Sequence, residues 1–543
     1  MAPGGAAADK WGAIKELAVW FSLANLLFVR VWVELLTYTP SNTFFMRQLP
    51  QRTHYLAAAA GVLLLGGILG AIALWARSGR SGRRKAVAGV LWGLMLVLAA
   101  NQLRLAISTA IPALYPWVRQ PLLGRIGWGG VALAGAGAMV VLAPAAVRHR
   151  RKWISGVTFG VLVAWPLIPL NLGHALWRSL HAPQLAWDGR SPGWSGPVPD
   201  ATGEAASRVV WVLFDEWDYR LSFEDRPADL AMPELDAVAG ESVVARRAYT
   251  TSTETSLSVP SLVTGRRVTS LVPLDAEDAE VTVEPGPVKT RLRDLDSVFG
   301  DMRRRGIRSA AVGWYLPYCR VWGESLDYCE WQETDSERVM RAGSFALSLR
   351  DAFRTFFETG VLSPLGVSLA AERASRTNQR LVSASESVLG DRRYQFVFLH
   401  LPTVHPPYYY DRRTGSLSKG NNFVSGYLDH LSLLDKTLGR LVKALRESGE
   451  WERTSLLVSS DHSFRSSRVL DGKWDGRVPF LLRVAPAGES AFADFAFSAQ
   501  LSRKLVADLI SGRIRTTQEA LAFLRSQSGQ PGPGGAEPGR GGG

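Results

Sequence analysis

Cysteine is nearly absent from the chain. Its 543 residues hold two, Cys319 and Cys329, with nine residues between them. With no third cysteine and no histidine nearby, the pair cannot by itself form a metal site. In an oxidising compartment it reads as a disulfide closing a small loop, and in the cytosol as two free thiols. Acidic charge is also short, 49 Asp and Glu against 62 Lys and Arg, for a net charge of +13. Such an excess can mark nucleic-acid binding. Here much of it sits in short loops between apolar runs, which is the pattern of membrane topology, so no nucleic-acid partner is expected. Nor is the first apolar run expected to be a cleavable leader. The first apolar run is long, carries Arg30 and Glu34, and is followed by others. The apolar runs show no obvious internal repeat, which weakens a transporter reading.

What the chain has instead is apolar content, 47% overall, gathered in its first third. Five spans of roughly 20 residues, enough to cross a bilayer, run over 17–37, 55–76, 86–107, 127–147 and 153–173. Arg77, Arg80, Arg83, Arg84 and Lys85 fill the second connection, and Arg148, Arg150, Arg151 and Lys152 the fourth. The alternate connections hold only Arg47 and Arg52, then Arg119 and Arg125. Basic loops stay inside. The expected topology is therefore a multi-pass protein of the cell (inner or plasma) membrane, with a cytoplasmic N-terminus and everything after about His174 outside. That placement favours the disulfide. Arg30 and Glu34, one helical turn apart, either pair near the interface or serve a substrate, and Arg104 beside Asn101 is a second intramembrane charge.

The organisation that follows is an anchor over 1–176, a linker over 177–206 rich in Pro, Gly, Ser and Trp, a catalytic unit over 207–526, and a disordered Gly/Pro tail over 527–543. Within the catalytic unit, apolar runs at 208–214, 308–313, 394–399, 454–459 and 477–484 read as buried strands. Helices are expected over 292–305, 344–359, 371–389, 423–446, 498–511 and 517–525. His430 and Asp435, within the 423–446 helix, read as surface residues rather than ligands.

Three strand ends carry chemistry: Asp215-Glu216, His400 with the Pro-flanked His405, and Asp461-His462. Ligands bind outside the carboxyl ends of strands in open α/β sheets. Six hydroxyls occupy the seven positions from Thr250 to Ser256. The bland reading is a solvated Ser/Thr loop. The sharper one is a nucleophile loop, which needs an activating metal or base. Pro260 suits the first turn of a following helix, which would put these hydroxyls at a helix N-terminus that favours phosphate or sulfate. Carboxylates and an imidazole hold hard or borderline divalent cations.

The stretches Leu213-Phe214-Asp215-Glu216, Thr255 through Gly265, His400 through Tyr408 and Ser459-Ser460-Asp461-His462 together resemble the alkaline phosphatase superfamily. Specifically, they resemble its membrane-anchored sulfatase-like branch, which includes phosphoethanolamine transferases and lipoteichoic acid synthases. The resemblance implies an α/β domain with a central, mostly parallel sheet behind the five-helix bundle. It implies one divalent metal, Zn or Mn, or else Mg or Ca. Glu216 falls at the first metal carboxylate, with Asp215 as the alternative. Thr255 falls at the nucleophile, and Asp461 and His462 at the remaining ligands. His405 matches a histidine that meets the substrate or leaving group. His400, Lys473 and Arg477 are candidates for substrate binding.

Departures shape the functional expectation. Ser258-Val259-Pro260-Ser261-Leu262 resembles the motif in which sulfatases make formylglycine. It lacks the Arg, however, and lies too close to Thr264-Gly265. Thr255 cannot become formylglycine, which argues against a true sulfatase. No histidine follows His462, so a second metal site is incomplete. The leading expectation is a phosphotransferase acting on a lipid-borne donor, with a cell-envelope glycan or lipid as acceptor. The alternatives are a sulfuric or phosphoric ester hydrolase, and a non-catalytic envelope-assembly protein that kept the fold.

Overall fold

The computed structural model describes residues 4–36, 43–45, 50–78, 82–110, 148, 150–181, 207–333, 344–358, 369–418 and 423–529. The centre of the α/β domain is an eight-stranded sheet. Its strands are β1 (Arg208–Phe214), β2 (Val243–Ala245), β3 (Ser309–Trp314), β4 (Tyr328–Gln332), β5 (Phe396–Leu401), β6 (Thr454–Ser460), β7 (Phe480–Arg483) and β8 (Ala491–Ala493). The spatial order is β8-β2-β7-β6-β1-β5-β3-β4, and only β7 runs against its neighbours. Successive residues of β1 enter opposite cores, Val209, Trp211 and Leu213 on one face and Val210, Val212 and Phe214 on the other. Burial on both faces explains why β1 is an unbroken apolar run.

The first third forms helices α1 (Gly4–Leu27), α2 (Val29–Leu36), α3 (Arg52–Ser78), α4 (Gly82–Ala110), α5 (Arg150–Val163) and α6 (Leu167–His181). Three stretches, Arg52–Ala76, Gly89–Ile107 and Ser155–His181, are long and apolar enough to cross a membrane. A fourth counts if α1 and α2, bent by 56° at their break, are one span. These helices are compatible with membrane anchoring. The expected bundle of five is thus three or four among the described residues, and the expected span 127–147 lies outside them. Most of the linker and of the Gly/Pro tail lies outside them too. Arg30 Nε sits 2.8 Å from Glu34 Oε1, the pairing expected from their spacing. Arg104 donates to Asn101 Oδ1 from Nε at 3.3 Å and from Nη2 at 3.1 Å. Gly66 admits the Phe21 ring where a Cβ would meet it at 2.5 Å, so α1 and α3 approach closely.

Four further helices matter to the site: α7 (Thr255–Thr264), α8 (Phe345–Phe357), α9 (Ala370–Gly390) and α10 (Phe423–Glu447). The expected helix over 292–305 begins later, at Val298, because Ser297 caps it through the Gly300 amide. Pro260 lies inside α7 rather than in its first turn, since the helix starts five residues earlier, at Thr255. His430 and Asp435 are buried, correcting their reading as surface residues. Asp435 accepts from the Leu235 amide at 2.8 Å. The imidazole of His430 donates from Nδ1 to Thr403 O at 2.7 Å and accepts from the Tyr409 amide at 2.9 Å. It thereby ties down the loop after β5.

Cys319 and Cys329 form a disulfide. It joins the turn carrying Tyr318 to β4, and the Tyr318 ring lies on Gly313, where a Cβ would meet it at 2.2 Å. Loop-closure entropy for this short loop amounts to about 2–3 kcal/mol. Reduced protein should unfold at correspondingly lower denaturant than oxidised protein in an equilibrium titration, and both thiols should resist alkylation until reductant is added.

Candidate active site

The site follows from the sheet register. Phe214 pairs with Ser460 of β6 on one side and Leu401 of β5 on the other. The residues leaving these three strands therefore emerge side by side. Asp215, Asp461 and His462 are all fully buried, and each offers a ligand atom within 4.8 Å of the others. His462 Nε2 lies 3.4 Å from Asp215 Oδ1 and 3.5 Å from Asp461 Oδ2. The other ring nitrogen, Nδ1, donates to Ser463 O at 2.9 Å. That bond selects the tautomer whose Nε2 lone pair faces the carboxylates, as metal-bound histidines require.

Asp461 Oδ1 accepts from the amides of His462 at 2.8 Å and Glu216 at 3.2 Å. Its Oδ2 and both oxygens of Asp215 are buried without a hydrogen-bond partner among the described residues. Burial and the neighbouring charges of Asp461 and Glu216 push Asp215 well above the usual carboxylate range. Burial also pushes Asp461 up, but the His462 and His400 imidazoles and the Glu216 amide bond outweigh it and hold Asp461 low. Two buried carboxylates with orphaned oxygens and an aimed imidazole lack only positive charge. The donor set fits a divalent cation.

Thr255 opens α7, and its Oγ1 lies 3.2 Å from His462 Nε2. Ser258, one turn on, is fully buried and donates its hydroxyl to the Asp461 carbonyl. The hydroxyl loop is therefore divided by role: Ser258 fastens α7 to the end of β6, and Thr255 faces the carboxylates. Thr264 Oγ1 donates to Pro260 O at 2.6 Å, and Gly265, at φ 66°, closes the helix.

His400 is fully buried, within β5 rather than beyond it. Its Nδ1 meets Tyr318 Oη at 2.8 Å, Nε2 has no partner among the described residues, and burial pushes it down to about 4. His405 packs on Trp314 with ring centroids 4.7 Å apart. Its Nδ1 donates to Pro406 O at 2.5 Å, and burial keeps it below the usual imidazole value although Glu216 opposes the shift. With Nδ1 so engaged, neutral His405 presents a bare Nε2.

Glu216 lies outside the three-residue cluster. Its carboxylate meets Arg465 Nε at 2.6 Å. Its backbone, at φ 59°, is left-handed, and Tyr427 holds it by donating to Glu216 O at 2.8 Å. Tyr315 is the other non-glycine residue with positive φ, at 69°, among the described residues. Such backbone costs about 1–3 kcal/mol per residue and gathers at functional sites. Of the two offered carboxylates, the geometry brings Asp215, the alternative, to Asp461 and His462. Lys473 pairs with Asp225, and Arg477 with Glu224 and Asp475, so both are committed to ion pairs rather than to the cluster. Sequence reasoning passed over Arg465. Its only signal was a position three residues past Asp461-His462 in the same strand-end loop. Beyond the bond to Glu216, its terminal nitrogens form no hydrogen bond within the described residues.

The sulfatase family model matches residues 207–491, more than half the chain. The chain belongs to the sulfatase family. A sulfatase-family domain makes it an enzyme of the sulfatase-like hydrolase class, and enzymes of this kind use a divalent metal. Among solved structures, it is similar to a protein in the alkaline phosphatase superfamily from Vibrio parahaemolyticus (14% identity, TM-score 0.35, covering 57% of this chain and 67% of that one). It is also similar to the phosphonate monoester hydrolase of Agrobacterium radiobacter (15%, 0.36, 56% and 74%) and to the PsFucS1 sulfatase from Pseudoalteromonas sp. (14%, 0.39, 60% and 73%). A comparison with curated proteins found no match.

Proposed function

We propose that this sulfatase-family enzyme is membrane-anchored and uses Thr255 as its nucleophile, transferring a phosphoryl-type group from a lipid-borne ester to a glycan or lipid hydroxyl outside the cytoplasm. The observation that carries the reading is Thr255 Oγ1 at 3.2 Å from His462 Nε2, at a helix N-terminus beside two unsatisfied carboxylates. Asp215, Asp461, His462 and the Thr255 hydroxyl are the residues that would hold the divalent cation. Bound there, it supplies the positive charge that acidifies the Thr255 hydroxyl and offsets charge on the transferring group.

The chain's own residues do the rest. Thr255 Oγ1 forms the new bond to phosphorus as the ester bond to the leaving alcohol breaks. The proton that Thr255 loses to solvent is balanced by the one the alcohol gains. The amides of Thr255 and Ser256, at the first turn of α7, have no helical acceptor and favour the anion. Arg465, held by Glu216, turns its free nitrogens to the non-bridging oxygens. In the second half, His405 Nε2 takes the proton of the acceptor hydroxyl as that oxygen attacks the phosphorus of the Thr255 adduct; the Thr255 Oγ1–phosphorus bond breaks, Thr255 regains a proton from solvent, and His405 returns its own to solvent. With water as acceptor, the same steps give an ester hydrolase.

Two expected outcomes test the supporting roles. Arg465→Ala should lower kcat/KM by about 10²-fold, as loss of a charged transition-state contact does, with Arg465→Lys intermediate, measured by steady-state kinetics. Dialysis against a chelator should abolish turnover, and addition of Zn or Mn should restore it. Recovery with neither ion, nor with Mg or Ca, would contradict the metal assignment.

A further inference from the structure

We propose that Phe45 and Tyr315 form an aromatic wall at the mouth of the active site that seats the apolar part of an ester presented by the bilayer. The inference rests on the ester-cleaving reading of the Thr255 site and names what that site's substrate carries.

Phe44 and Phe45 belong to the connection between α2 and α3, yet they pack on the α/β domain. Phe44 is fully buried in that domain's core, with Phe45 against it. Arg320 donates to the Thr43 carbonyl at 3.4 Å, fixing the connection at the end of β3. The Phe45 ring lies 4.8 Å from Tyr315, between centroids. Tyr315 is the first residue past β3, and its left-handed backbone bends the chain there while its amide bonds to Gln332 O at 3.1 Å. The phenol is close enough to the cluster to be raised by Asp215 and Glu254, after burial itself. Trp314 packs 5.8 Å from Tyr315 and 4.7 Å from His405. An aromatic row thus runs from His405 through Trp314 and Tyr315 to Phe45.

The far end of that row is tied to the apolar helices. Phe45 is nine residues past Leu36, the end of α2, and seven before Arg52, the start of α3. At about 3.5 Å per extended residue, it lies within about 30 Å and 25 Å of those helix ends. A second tie runs the other way. Helix α8, part of the α/β domain's chain, buries Ala352 and Phe356 among the apolar helices, and Gln102 Nε2 donates to Phe356 O at 3.3 Å. Two attachments thus join the α/β domain's chain to the apolar helices, one through Phe44 and one through Phe356. Two rings serving only as a plug would be fully buried, but Phe45 and Tyr315 both keep partial exposure. A small, fully hydrated ester has no use for such a row, whereas the glycerol and first acyl carbons of a membrane lipid do.

The test compares two esters with the same reacting centre, using the full-length protein in nanodiscs of dioleoyl phosphatidylglycerol and dioleoyl phosphatidylethanolamine. Turnover of these lipids is measured against their water-soluble deacylated counterparts, glycerophosphoglycerol and glycerophosphoethanolamine. Wild type should prefer the lipids. Phe45→Ala and Tyr315→Ala should each lower the lipid-to-soluble ratio of kcat/KM roughly tenfold, and Phe45→Leu should recover part of it. A ratio unmoved in both alanine variants, even with both rates reduced, would overturn the wall and mark the rings as structural. A wild type that cleaves only the soluble diesters would overturn the wall and leave the Thr255 reading standing. A wild type that cleaves neither would overturn both.

Discussion

Thr255→Ala should lose at least about 10⁴-fold in kcat, the scale on which removal of an attacking side chain is felt. Thr255→Ser should keep measurable activity. The reason is positional. Thr255 presents its hydroxyl to His462 Nε2 at 3.2 Å, whereas Ser258 has committed its own to the Asp461 carbonyl. Steady-state kinetics on the full-length protein checks this, with circular dichroism to show that the variant is folded. Thr255 is a small residue at a helix start, so alanine costs little structure there. Ser258→Ala should instead act through geometry, loosening α7 from the end of β6. A Thr255→Ala variant with wild-type turnover would remove the nucleophile from the account.

The second large effect is expected at the carboxylates. Asp461→Asn and Asp215→Asn should each abolish bound metal, from about one equivalent to near zero, because a cation site loses both charge and a ligand. Activity should fall with it, by at least about 10³-fold. The two variants should differ in stability. Asp461 Oδ1 anchors the amides of Glu216 and His462, so Asp461→Asn disturbs the turn after β6 as well. Asp215 accepts no hydrogen bond among the described residues and carries a raised pKa from burial and like charge. Metal-free Asp215→Asn protein should therefore be at least as stable as metal-free wild type near neutral pH, where the wild-type carboxylate is held against its preference. Elemental analysis of the unchelated proteins reads the first effect, and denaturant titration of the chelated proteins reads the second.

These effects also show what the sequence made legible. The end of β1 could be read because a strand buried on both faces is an apolar run, here unbroken from Val209 to Phe214, and the first polar residue after it is Asp215; β6 is marked by the shorter Leu456-Leu457-Val458, which Ser459 and Ser460 separate from Asp461. The choice between Asp215 and Glu216 could not, because a strand end gives no signal of which neighbour turns inward. A left-handed Glu216, carried off by Arg465, is a tertiary outcome. Pro260 misled for a related reason. It reads as a helix start, yet α7 tolerates it in its interior, where Thr264 and Ser261 hydroxyls bond back to the helix carbonyls Pro260 O and Leu257 O. His430 looked like a surface residue because its imidazole is polar, but its partners are backbone groups 21 and 27 residues upstream. Short strands such as β2 and β8 carry too few residues for any periodicity. The contact of Phe45 with Tyr315 spans about 270 positions of sequence, and no local pattern reports it.

The central claim is that Thr255, in a metal-holding site, forms the covalent adduct. Its most direct test is mass spectrometry of the Thr255 peptide from full-length protein quenched in acid during turnover of membrane lipids. The account predicts a phosphoryl-bearing adduct on Thr255 that is absent from Asp461→Asn protein. An unmodified Thr255 alongside a formylglycine at Ser258 would contradict it.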